Sequence, residues 1–117
     1  GNKEWQRDLA VSYSEIGDVL SRLDNHQRAG AALGESLRIH QELADSDPNN
    51  ADWQRDLVVS YLWLADAGFS QRENLTQALK IATALEESGR LQPRDAFIPD
   101  YLRERLAKLK PAKKKGK

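Results

Sequence analysis

The stretch WQRDLAVSY at residues 5–13 returns as WQRDLVVSY at residues 53–61, eight of nine positions identical at an offset of 48. A chain that repeats itself at such a spacing is built from copies of one supersecondary unit. One copy cannot bury its hydrophobic face alone, and stacking closes it. The match extends backward, with Asn2 and Glu4 opposite Asn50 and Asp52. Forward, Ile16 stands opposite Leu64, Gly17 opposite Ala65 and Asp18 opposite Asp66. Two units fill most of the 117 residues, a single domain's length.

Each unit predicts two helices. Trp5, Leu9, Tyr13, Ile16, Leu20 and Leu23 advance by fours and threes, one stripe at the helical period. Asp24-Asn25 is a turn signal, after which Ala29, Leu33, Leu37, His40 and Ala44 make a second stripe flanked by Ile39 and Leu43. Pro48 stops that helix, and Asn49 or Asn50 caps the next, with Asp52 in its first turn. Trp53, Leu57, Tyr61 and Leu64 rebuild the first stripe; Leu75, Ala78, Leu79, Ala82 and Leu85 rebuild the second. Phe69, beside the turn, is expected in the core. A connector over 90–98 contains Pro93 and has room for one short helical turn. A fifth helix follows Pro99, with Tyr101, Leu102, Leu106 and Leu109 on one face and Arg103, Glu104, Arg105 and Lys108 on the other. No segment reads as a strand. The expected fold is all-α: a first unit over 2–48, a second over 49–90, a connector and capping helix over 91–109, and a Lys-rich tail over 110–117 read as disordered.

The spacing Tyr13-x2-Ile16-Gly17-x2-Leu20, then Ala29-x3-Leu33, then a closing Pro48, resembles the tetratricopeptide repeat signature. The second unit, Tyr61-x2-Leu64-Ala65-x2-Gly68 then Ala78-x3-Ala82, departs from it at Ala65, Gly68 and Ala82 and has no closing proline. The resemblance spans roughly residues 2–90 and is stronger in the first unit. The usual unit is about 34 residues. The excess here is about four helical turns, two for each helix, which leaves both packing faces unrotated. The resemblance is thus to a long-helix variant, of a kind associated with bacterial multidomain signalling proteins. It implies an α-α superhelix, a solenoid with a concave surface lined by the first helix of each unit. It also makes Gly17, Ala29, Ala65 and Ala78 packing residues and the fifth helix an end cap.

Little supports catalysis. There is no cysteine, so thiolate chemistry, disulfides and cysteine-zinc sites are excluded. His26 and His40 have no carboxylate at ligand spacing, and neither a phosphate loop nor a G-x-S-x-G or H-E-x-x-H motif is present. Asp8 and Asp56 repeat together with Arg7 and Arg55, which suits ion pairs between units better than acid–base work. The chain is expected not to be an enzyme and to hold no cofactor or metal.

Binding is better supported. The face of the first helix carrying Arg7, Val11, Ser14, Glu15, Asp18 and Arg22 is offset from the core stripe. Its counterpart carries Arg55, Val59, Leu62, Trp63, Asp66 and Ser70. By the resemblance these faces line the partner groove of a scaffold or sensor module. Trp63 stands where the first unit has Glu15. It is either an exposed interface anchor or a packed residue near Phe97 or a neighbouring helix. The acids Glu15, Asp18 and Asp66 disfavour a partner's terminal carboxylate and favour a basic or amphipathic protein or peptide segment. Lys and Arg balance Asp and Glu at 18 each, so no net charge drives the chain to nucleic acid or membrane. Within that balance, residues 1–109 hold 13 basic against 18 acidic side chains, and five lysines follow from Lys110. The tail is an alternative, polyanion-binding element. Another alternative is a structural spacer or homodimer, because no polar helix precedes Trp5 to cover that end, unless further repeats or another domain lie upstream. A cytoplasmic setting is expected, with no apolar run long enough for a membrane span.

Overall fold

The computed structural model describes residues 2–109, and the Lys-rich tail over 110–117 lies outside the described residues. The fold is all-α, with no strand among the described residues. Helix α1 (Asn2–Arg22) pairs with α2 (His26–Ser46), and α3 (Ala51–Asp66) with α4 (Gln71–Glu87). A single 3₁₀ turn (Pro93–Asp95) leads into α5 (Ile98–Lys108). Contacts run mainly between chain neighbours, α1 on α2, α2 on α3, α3 on α4 and α4 on α5, with a shorter meeting of α1 and α3.

The helix ends follow from local chemistry. Asn50 Oδ1 accepts from the Trp53 amide at 3.1 Å, satisfying one of the open donors of α3. That helix ends at Asp66; Gly68 follows its C-cap with a φ of +91°, which suits a residue without Cβ, and the Phe69 amide closes back on the Leu64 carbonyl at 2.9 Å. Helix α5 starts at Ile98, two residues earlier than the sequence predicts. Pro99 lies inside its first turn, where a missing N–H leaves no intrahelical bond unmade.

The two hairpins are held differently. In the first, small residues allow close approach: Ala10, Ser14 and Gly17 of α1 face α2, whose Ala29, Leu33 and Ser36 are also buried. A Cβ on Gly17 would lie 2.5 Å from Leu33 Cδ2, so any larger residue there must displace the buried Leu33 side chain. In the second, Val58, Ala65, Leu75, Ala78 and Ala82 join Ile98 and Leu102 of α5 in one hydrophobic cluster. A smaller cluster of Ala10, Ile39 and Leu43, with Leu9, Tyr13 and Trp53 against it, joins the two units. The expected packing residues Gly17, Ala29, Ala65 and Ala78 are all buried.

Two expectations about faces need correction. The apolar stripe of the first helix places Trp5, Ile16 and Leu23 in the core, yet they are exposed. The face of α1 that meets α2 is its small-residue face, nearly opposite, because close helix approach selects small side chains over large ones. In α5, Leu102 is fully buried, but Tyr101 turns outward against Phe97, and Arg105 leaves the solvent face to pair with Asp66.

Candidate interaction groove

Ion pairs tie the odd-numbered helices together. Arg7 Nε of α1 donates to Asp56 Oδ2 of α3 at 2.6 Å, and Nη2 donates to Oδ1 at 3.0 Å. This bidentate pair is the expected pairing between units, and it raises the Arg7 pKa further above its ordinary value. Arg55 instead turns to the 3₁₀ turn, where its Nε donates to buried Asp95 at 2.8 Å. Arg105 of α5 donates to Asp66 at 2.5 Å and to the Tyr101 hydroxyl at 3.0 Å, and the Asp66 bond is the main reason its pKa is also raised.

Between these links lies a depression of about 70 Å³ lined by Asp18, Ser21, Leu33, Trp63, Asp66 and Ala67. It brings together Asp18, Trp63 and Asp66 from the two first helices. Trp63 is half-buried, neither fully packed nor standing free. Arg22 donates to Asp18 at 2.5 Å one turn along α1. Each acid of the depression therefore already carries an arginine, and the local surface alternates in sign instead of being acidic.

Other residues of the expected face lie elsewhere. Ser14 is buried and shares a 2.6 Å hydrogen bond with Ser36 of α2, so it belongs to the hairpin interior and not to the groove. The small side chains that let α1 and α2 approach also carry Ser14 inward. Leu62 packs on the α3–α4–α5 cluster and Val59 is half-buried. Val11 is exposed on α1. Glu15 is exposed and lines a different, apolar depression with Ile16, Val19 and Leu20. Ser70 is exposed at the start of α4 in a left-handed conformation, with no side-chain cap. Phe69, expected in the core, is half-buried and stacks on His26 with ring centroids 4.2 Å apart.

Two features were not anticipated. A hollow of about 250 Å³ is lined by Pro48, Gln54, Lys80, Ile81, Ala84, Leu85 and Arg90. Its lining comes from three separated segments, which no local pattern joins. The other is a buried polar contact between units, His40 Nδ1 to Ser60 Oγ at 2.5 Å. The His40 Nε2 atom is buried with no partner among the described residues, and burial lowers the imidazole pKa. Among the described residues no group of three or more His, Cys, Asp or Glu side chains is placed to hold a metal ion. No described helix is long and apolar enough to cross a membrane. The chain matches no family model, no curated protein and no solved structure.

Proposed function

We propose that this chain is a protein–protein interaction module of the scaffold or sensor kind, made of tetratricopeptide-like helical hairpins in a superhelical stack and capped by α5. Its partner segment docks along α1 and α3. The observation that carries this reading is Trp63, held half-buried between Asp18 and Asp66 in one depression. A half-buried indole at a depression supplies large contact area at small entropic cost, the usual make-up of an interface anchor. Around it Asp18 and Arg22, and Asp66 and Arg105, offer acceptors and donors side by side. The partner that fits is an amphipathic segment of mixed charge, with an apolar side chain on Trp63 and alternating charges on the rim. The module binds and does not catalyse.

An array of amphipathic peptides graded from basic through mixed to acidic tests the reading. Mixed-charge peptides should bind best. Trp63→Ala should weaken them by more than about 1 kcal/mol with helicity unchanged, while Arg38→Ala, on the exposed face of α2, leaves them unaltered. Equal binding by wild type and Trp63→Ala would remove the anchor and the reading with it.

A further inference from the structure

Helix α1 exposes a face that α3 covers. Trp5, Gln6, Leu9, Ser12 and Ile16 stand one repeat ahead of Trp53, Gln54, Leu57, Ser60 and Leu64, and four of the five are the same residue. In α3 these positions are buried or half-buried. In α1, Trp5 is 66% exposed and Ile16 51%, Gln6 and Ser12 are exposed beside them, and Leu9 alone of the five is half-buried, against Ile39 and Leu43. Val19 and Leu23, also exposed, carry the open face on toward the end of the helix.

The cover on α3 is α2, and its contacts are specific. Trp53 packs on the cluster that contains Ile39 and Leu43. Gln54 Nε2 donates to the Ala44 carbonyl at 3.4 Å, and Ser60 Oγ shares a 2.5 Å hydrogen bond with His40 Nδ1. Beside them Asp56 accepts from Arg7 of the preceding first helix, and Asp8, one repeat ahead of Asp56, is exposed. Apolar side chains alone would suit any apolar surface. The recurrence of glutamine, serine and aspartate is selective, because a polar group suits a covered face only where a partner satisfies it.

From this we infer that the open face of α1 receives a helical hairpin of the same make as α1–α2. Its second helix brings two aliphatic side chains to Trp5, a hydrogen-bonding imidazole to Ser12 and the free carbonyls of its last turn to Gln6. Its first helix brings a guanidinium to Asp8. A second copy of this chain has no such helix to spare, since α2 already lies on α3, and α4 lies against both α3 and α5. Asp18, Trp63 and Asp66 lie off this face, so the groove stays open when it is covered.

A chain in which residues 1–48 are set once more ahead of Gly1 tests the inference, because Asn2 then follows the added Pro48 as Asn50 follows the native one. Its urea midpoint should exceed that of the natural chain, and emission from the original Trp5, read with every other tryptophan replaced by Phe, should shift to shorter wavelength. Ser12→Val in the original copy should lower the midpoint of the extended chain and leave that of the natural chain unchanged. Because the sequence has no cysteine, Ser12→Cys in the original unit and His40→Cys in the added one should form a disulfide. An unshifted Trp5, or Ser12→Val acting alike in both chains, would overturn the inference. So would sedimentation equilibrium showing a dimer of the natural chain that Ile16→Glu dissolves, since the face would then belong to a second copy.

Discussion

Gly17 and Gly34 both sit inside helices, but a methyl group added at each would meet opposite surroundings. At Gly34 nothing lies within 4 Å, whereas at Gly17 the buried Leu33 stands at 2.5–2.6 Å. Gly34→Ala should therefore stabilise by about 0.5–1 kcal/mol through helix propensity alone. Gly17→Ala gains the same propensity and loses about 1–3 kcal/mol to overpacking, a net destabilisation readable in urea melts. The opposite signs of two identical substitutions measure how closely α1 approaches α2. His40 makes a second prediction at this scale. Burial lowers its folded pKa below the ordinary 6.5, and Arg7 reinforces the effect while Asp56 opposes it. The unfolded chain then binds the proton first, so this contribution is complete above about pH 6.5 and is lost as pH falls toward the depressed folded value. Stability should drop on acidification from about pH 7 to about 5.5, and His40→Gln should show a shallower drop over the same range.

Each helix joins its neighbour through contacts of unequal worth. Asp95 is 3% exposed and Arg55 is its main cation, so Arg55→Ala leaves a buried carboxylate short of charge. We expect a loss of about 2 kcal/mol, below the figure for a fully buried pair because Arg55 is one-third exposed. Arg38, bonded to Glu35 and Glu42 on the open face of α2, should leave the melting temperature unchanged when replaced by Ala. Leu102 is fully buried against the α3–α4 cluster, and Leu102→Ala should cost about 2–5 kcal/mol. These elements were largely legible in the sequence. Asn50, Pro48 and the apolar periods mark helices close to where they occur, and the likeness of residues 5–13 to 53–61 announces two units. The face of α1 was not legible. Periodicity finds a stripe but does not say which neighbour covers it. The covered side of α1 is made of Ala10, Ser14 and Gly17, small residues that look ordinary beside Trp5 and Ile16. Of the groove, Asp18, Trp63 and Asp66 were legible as one face, whereas Ser14 was misplaced for the same reason. Arg22 was legible on the same face as Asp18, whereas Arg105, which neutralises Asp66, was visible only as an exposed charge of the fifth helix.

At the scale of the whole molecule, a row of helices in which each meets chiefly its neighbours has no single interior to make it open all at once. The larger cluster sits in α3, α4 and α5. Helix α1 is tied to the rest by its small-residue contact with α2, by Leu9 and Tyr13 on the small cluster with Ile39 and Leu43, by the Arg7–Asp56 pair and by Lys3 over the Trp53 ring at 5.3 Å. Its amides should accordingly exchange with solvent through local opening at a lower free energy than those of α3 and α4. A hairpin laid on the open face of α1 alters this gradient at one end only, because in a stack each added interface stabilises the units it joins. Native-state hydrogen exchange on the natural chain and on the chain extended by a further copy of residues 1–48 should therefore differ in the original α1, where protection rises, while α4 holds still. Ile16→Glu in that α1 should abolish the rise without altering α4. Protection that climbs equally in every helix would mean that the hairpins open as one cooperative body. Protection in α1 that ignores the added unit would mean that the repeated serine and glutamine do not receive a helix like α2.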